Sequence, residues 1–382
     1  MRRDRRWSWG EGSDRVGVFA DRTPEEEAAD LAAARRWRAT VFDAGFGWPS
    51  GPVSYGGRGL PARFERLWYT LQSGYETPSQ TSLGVGLAMV APTILAHGHE
   101  VARHRWLRAL WRGDAVACQL FSEPGAGSDL AGVRARATPV AGGAEWVLEG
   151  QKVWTSGAHH SDIGEILCRT SDEGRHRGLT AFILEMRQPG VEVRPLRQMT
   201  GGASFNEVFL DRARVSDHHR LGEIGGGWAV AMTTLVNERL AIGASAGGPA
   251  ANAMDRLMGL LAWAGKADDP VLRQRFADVY VHWAAARAHT RHQAARLAGG
   301  EAPGPELSVS RLALTANLAR ISDLVTEALG SRLLADTGEW GTFAWAEFIL
   351  GVPGLRIAGG TDEILKTVIG ERVLGLPRGP RP

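Results

Sequence analysis

Cysteine is nearly missing: Cys118 and Cys168 are the only two in 382 residues. Two thiols cannot staple a chain of this size, and neither has a Cys or His at metal-ligand spacing. Both fall in apolar, strand-like runs and are read as buried free thiols. Also missing is any uninterrupted apolar run of the roughly 18 to 20 residues that a membrane-spanning helix requires. Neither sign of charge prevails, since 44 Lys and Arg face 42 Asp and Glu. That balance supplies no broad basic field for nucleic acid. The opening Met1-Arg2-Arg3-Asp4-Arg5-Arg6-Trp7 is basic, but no apolar stretch or cleavage site follows. Glu11, Asp14 and Glu25 to Glu27 come soon after, so the start reads as cytoplasmic.

What is present changes character twice along the chain. From Pro24 to about Gly113 the apolar spacing is helical, with helices expected from Ala28, over Ser82 to Ala96, and over Glu100 to Trp111. From Ala115 to about Leu221 short apolar or alternating runs follow one another, punctuated by Gly, Pro and Asp, as in an antiparallel sandwich or barrel. From Trp228 onward long Ala/Leu-rich helices return, over Ala229–Ala246, Ala250–Ala264, Pro270–Leu297 and Leu307–Leu334, in the manner of a bundle. The fold class is therefore α+β: a helical domain over 1–114, a central antiparallel β-domain over 115–222 and a four-helix-type bundle over 223–382.

Two segments carry chemistry. In Phe121-Ser122-Glu123-Pro124-Gly125-Ala126-Gly127-Ser128-Asp129-Leu130, Pro124 and the glycines make a tight turn whose amides can approach a polar cofactor. It is no dinucleotide fingerprint, because Leu130 stands at the third glycine position and no βαβ unit surrounds it. A plain strand-to-loop turn with Asp129 as a cap fits the same residues. In Gly150-Gln151-Lys152-Val153-Trp154-Thr155-Ser156-Gly157 a tryptophan can cover a planar ring while hydroxyls bond its edge; a core tryptophan is the plainer account.

Taken together, SEPGAGSDL followed by GQKVWTSGA resembles the β-domain signature of acyl-CoA dehydrogenases. The resemblance extends over nearly the whole chain, through Tyr55-Gly56-Gly57-Arg58-Gly59-Leu60, RGLTAFILEM, MTGGASFNEVFLDRARV, LGEIGGGW, NERLAIG and IAGGTDEILKTVIGERVLGLP. It implies FAD held between the β-domain and the bundle. By position, Phe121, Ser122, Gly127 and Ser128 would contact the flavin and the pantetheine entrance, with Ser128 and Arg239 on the substrate. Trp154 and Ser156 would lie against the isoalloxazine, and Thr361 and Glu363 would touch the cofactor from the C-terminal domain.

The reaction implied is α,β-dehydrogenation of an acyl-CoA thioester, which needs a base for the α-proton while hydride leaves to flavin N5. Many members of the family carry that base directly before a Gly-Thr pair near the C-terminus. Here the position is Gly359. A minority, the isovaleryl- and long-chain-type enzymes, place a glutamate before an arginine on an earlier helix, and this chain has Glu238-Arg239 there. Leu235, Glu238, Ala241 and Ile242 share a helical stripe, so Glu238 is either salt-bridged in the core or kept for chemistry. The vacant Gly359 decides for chemistry. The backbone N–H of Gly359 would still polarise the thioester carbonyl.

Other residues are read plainly. The adjacent pairs His159-His160 and His218-His219 lack the i, i+4 spacing of helical metal sites and are read as surface histidines, so no metal is expected. Glu123 and Asp129 order their loop. An electron-transfer flavoprotein is the implied electron acceptor, and the assembly a homotetramer or a heterotetramer with a homologous chain. Alternatives are a dehydrogenase or oxidase acting on a carrier-protein thioester, and a non-catalytic subunit of a mixed complex. The family's Arg and Gln contacts to the FAD pyrophosphate of a neighbouring subunit are not carried over onto residues of Asp269–Phe276 or Glu327–Arg332.

Overall fold

Thr23 opens α1 (Pro24–Asp43) with a capping box: its hydroxyl accepts from Glu26 N at 3.2 Å, and Glu26 Oε2 accepts from Thr23 N at 3.0 Å. The computed structural model describes residues 8–19, 22–244, 253–301 and 303–379. The opening Met1–Trp7, the expected helix ends Ala246 and Ala250, and the last three residues lie outside them. The described residues form two compact units. One is Arg22–Asn237; the other is Glu238–Pro382 together with the stretch that includes residues 8–19.

In the first unit, α2 (Ala62–Gln72), α3 (Ala91–His97) and α4 (Glu100–Arg112) follow α1. The expected helix over Ser82–Ala96 is broken into a 3-10 turn, a π-turn at Gly86–Val90 and α3. Pro92, in the first turn of α3, has no amide to give the preceding turn, which widens accordingly. The sequence reading did not separate α2, whose residues include none that are buried.

The strands β1 (Ala117–Leu120), β2 (Arg136–Pro139), β3 (Glu145–Ser156), β4 (Ile163–Arg169), β5 (Leu179–Glu185), β6 (Val191–Leu196), β7 (Phe205–Ser216) and β8 (Arg220–Leu221) form one sheet. Its order is β6-β7-β3-β2-β4-β5-β8, with β1 beside β4. Most pairs are antiparallel; β1 runs parallel to β4, as does β2 where Arg136 meets Arg169. Strands β4 and β5 are buried on both faces, so they read as unbroken apolar runs. One face packs Ile163, Leu167, Ala181 and Ile183 against helical residues such as Ile94 and Leu107. The other packs Ile166, Phe182 and Leu184 with Trp146 and Val208. Cys118 and Cys168 are buried free thiols, pushed up to about 12 by burial.

The division between units falls inside α5 (Gly227–Ala244). The second unit holds α6 (Ala253–Trp263), α7 (Pro270–Ala298), α8 (Leu307–Leu329), α9 (Ala344–Leu355) and α10 (Asp362–Val368). Asp269 starts α7 by accepting from Val271 N and Leu272 N, with Pro270 at the first helical position. Leu257, Leu260, Leu272, Leu318, Ile321, Trp345 and Phe348 share one core with Val16 of the N-terminal stretch.

Candidate active site

The loop after β1 is held from beneath by a buried ion pair. Glu123 N donates to Ala126 O and Ala126 N to Glu123 O, both at 3.0 Å, which closes the turn. The Glu123 carboxylate points inward and accepts from Arg134 N at 2.7 Å, Ala135 N at 2.9 Å and Lys152 Nζ at 2.8 Å. Lys152 is fully buried; its ammonium also donates to Phe121 O at 3.1 Å and Leu167 O at 2.7 Å. Three donors meet three acceptors, the condition under which a buried pair is tolerated. Asp129 pairs instead with Arg175 and makes no side-chain cap, against the turn-cap reading of that residue.

Val153 N donates to Ser122 O at 3.0 Å, so the two motifs read from the sequence lie side by side. Along the end of β3, Val153 and Thr155 turn inward while Trp154 and Ser156 share the open face. Trp154 is 58% exposed and has φ +60°, in a bulge of the β3–β7 ladder. A bulky residue in that region of backbone space is strained, and such strain gathers at functional positions. Its ring meets Phe205 edge-on at 6.0 Å. Phe121 is buried, Ser122 half-buried, and Gly127 and Ser128 are exposed. No atom lies within 4 Å of where a side chain on Gly125 or Gly127 would begin.

These residues fit a flat, polar-edged cofactor. An exposed indole face, a neighbouring hydroxyl and an open glycine turn supply the stacking surface and edge contacts a flavin needs.

In the second unit, Glu238 stands on α5 with its carboxyl only partly accessible. Burial raises its pKa above the usual carboxylate range, while Arg311 and Arg239 pull it back. Arg239 is itself half-buried and its pKa is lowered by burial, with Glu238 opposing. Arg311, on α8, donates through Nη2 to Leu355 O at 2.6 Å and Ala358 O at 2.9 Å. The same guanidinium thus biases Glu238 and fastens the turn that leads into Gly359. Gly359 has φ +66° and Gly360 φ +96°, where any side chain would be strained. Thr361 caps α10 by accepting from Ile364 N at 3.2 Å, and Glu363 is exposed in its first turn. Asp362 is buried, accepting from Thr315 at 2.7 Å and Arg356 at 2.8 Å.

Sequence reasoning missed Arg311, and it read Asp362 as a cap or cofactor contact, whereas Thr361 is the cap and Asp362 holds Thr315 and Arg356. The signal was present: Arg311 and Thr315 are four apart among the buried positions of α8, polar residues on an apolar face. It also missed Glu165, a fully buried carboxyl in β4 that accepts from Thr234 at 2.6 Å and is pushed up to about 8 by burial. Thr234 in turn shares a 2.9 Å hydrogen bond with Thr93 of α3. The surface reading of the histidines fails for His219, which is buried edge-on against Trp106.

Three family models cover most of the chain: the acyl-CoA dehydrogenase N-terminal domain over 13–114, middle domain over 118–213 and C-terminal domain over 225–374. Acyl-CoA dehydrogenase IpdE1 of Mycobacterium tuberculosis is 36% identical over 366 residues, spanning 93% of this chain and 91% of its own. The chain belongs to the acyl-CoA dehydrogenase family. Acyl-CoA dehydrogenase FadE34 of the same organism is 39% identical over 92% of this chain, which spans only 47% of that relative's length. Among solved structures, a chain of the ChsE4-ChsE5 complex from M. tuberculosis superposes with TM-score 0.75 at 26% identity, over 94% of each chain. Membership makes this chain a flavoprotein oxidoreductase with the three-part architecture described above.

Proposed function

We propose that this protein carries out FAD-dependent α,β-dehydrogenation of an acyl-CoA thioester, with Glu238 as the base. The observation that carries the reading is the state of Glu238: a largely desolvated carboxyl, raised in pKa, on the helix position that substitutes for a base absent at Gly359. Bound FAD supplies the hydride acceptor. Trp154 and Ser156 offer it a face and an edge, and Thr361 and Glu363 are the candidate contacts from the C-terminal domain. Phe121, Ser122, Gly127 and Ser128 border the cofactor and the pantetheine path.

Glu238 takes the α-proton onto its carboxylate. Burial makes that carboxylate a stronger base than one in water, and the charges of Arg311 and Arg239 oppose that shift. The Gly359 N–H is the group available to polarise the thioester carbonyl. Arg239 positions helix or substrate and is no proton donor. The electrons then pass to an electron-transfer flavoprotein. The assembly is a homotetramer or a heterotetramer with a homologous chain; the two different chains of the ChsE4-ChsE5 complex support the mixed form.

Anaerobic titration with a panel of acyl-CoAs, followed by the oxidised flavin absorbance, tests this. The wild type should bleach, and Glu238→Gln should bleach about 10²- to 10⁴-fold more slowly, the usual worth of a positioned base. Equal rates in the two proteins would remove Glu238 from the chemistry. Bleaching only by carrier-protein thioesters would move the substrate class.

A further inference from the structure

The histidine pair set aside in the sequence has a third partner, 132 positions away in the chain. Glu27, in the first turn of α1, reaches the 3-10 turn Ala158–His160 that follows β3. His159 Nε2 is 2.8 Å from Glu27 Oε2, His160 Nδ1 is 3.2 Å from His159 Nε2, and His160 Nδ1 is 3.5 Å from Glu27 Oε1. All three belong to the same unit. We propose that Glu27, His159 and His160 form a three-ligand zinc site that clips the first helix to the β-domain.

The spacing is that of a coordination shell. Ligands about 2.0–2.1 Å from a tetrahedral zinc stand about 3.3 Å apart; His159 Nε2 and His160 Nδ1 are 3.2 Å apart, and a carboxylate oxygen of Glu27 lies within 4.8 Å of both. Two imidazole nitrogens and one carboxylate are a donor set of zinc type, and the 36% exposure of the His159 side chain leaves the fourth position to water.

The surroundings hold the rings in place. Gly157 has φ +63°, and a side chain there would begin 2.7 Å from His160 Nε2, so glycine is what lets that ring lie against the turn. Ser161 Oγ donates to Gly157 O at 2.8 Å and tightens the same turn. Arg35, which also faces His160, is engaged by Asp162 at 2.8 Å, so its charge does not stand alone against a cation.

Asn206 completes the account. Its Nδ2 lies 3.2 Å from His159 Nδ1 and donates to Thr155 O at 3.1 Å, while its Oδ1 is buried without a hydrogen-bond partner. With Nδ2 donating to Nδ1, the His159 proton sits on Nε2 and is shared with Glu27. Zinc takes the Nε2 lone pair once that proton has moved to Nδ1, so the ring stays neutral and no proton is lost. The amide then turns over, giving up Thr155 O, and Oδ1 accepts from Nδ1–H as an outer-shell partner does.

Isothermal titration of the chelator-treated holoenzyme with zinc chloride tests the proposal. The expected result is one tight equivalent. Glu27→Gln and His160→Ala should each weaken binding at least tenfold, and zinc should raise the wild-type thermal midpoint but not theirs. Flavin content and circular dichroism establish that both variants are folded. His218→Ala, at an exposed histidine outside the cluster, should bind zinc as the wild type does. No stoichiometric binding in the wild type, binding untouched by both cluster variants, or an equal loss in His218→Ala would overturn the site. These readouts are independent of turnover.

Discussion

At the scale of single residues, Glu165 shows how a carboxyl survives inside a sheet. It is fully buried on β4, receives one hydrogen bond from Thr234, and its Oε2 has no partner. Burial therefore pushes its pKa from 4.5 up to about 8, so the folded protein keeps the proton at neutral pH. The sign follows from the raised folded-state value. Below about pH 4.5 both states are protonated and the group costs nothing extra. Between 4.5 and 8 the unfolded chain gains by ionising, and stability falls by up to about 1.4 kcal/mol per pH unit. Glu165→Gln removes this slope. Thermal or urea unfolding at pH 5 and pH 8 should show the variant gaining on the wild type as pH rises; a constant difference would mean that Glu165 is charged in the fold.

At the scale of elements, the signature loop depends on β3 through Lys152. Lys152→Met leaves Glu123 buried with two amide donors and no countercharge, at a cost of about 3–5 kcal/mol in denaturant unfolding. Adding Glu123→Gln should recover part of that loss, and no recovery would refute a direct coupling. Elements were legible where period and punctuation agreed. Asp269-Pro270 marks the start of α7, and the helix follows; the apolar runs of β4 and β5 are strands because both faces are buried. Elements were missed where burial did not follow pattern. α2 buries none of its residues, and α9 carries Pro353 inside it, a residue that ordinarily marks a boundary. Of the site, the Phe121–Asp129 and Gly150–Gly157 segments were readable because their chemistry is local. Arg311, the Asp362–Thr315 bond and the approach of Glu27 to His159 were not, because each joins residues far apart in the chain.

At the scale of the whole molecule, three family domains match along the chain, which spans 91% of the length of IpdE1 and 47% of that of FadE34. Among the described residues no helix is long and apolar enough to cross a membrane. The open face around Trp154 and the turn at Gly127 are contributed by this chain itself. Purified alone, the protein should therefore be yellow with stoichiometric FAD by absorbance. A colourless preparation that turns yellow only with a homologous chain would assign completion of the cofactor site to that partner.

Lys152 has one more consequence. The sequence contains only three lysines, and the other two, Lys266 and Lys366, are exposed. An amine-acylating reagent will mark those two at once but reach Lys152 only when the β-domain opens. The mass added at that one position is thus a built-in clock for how often the sheet comes apart.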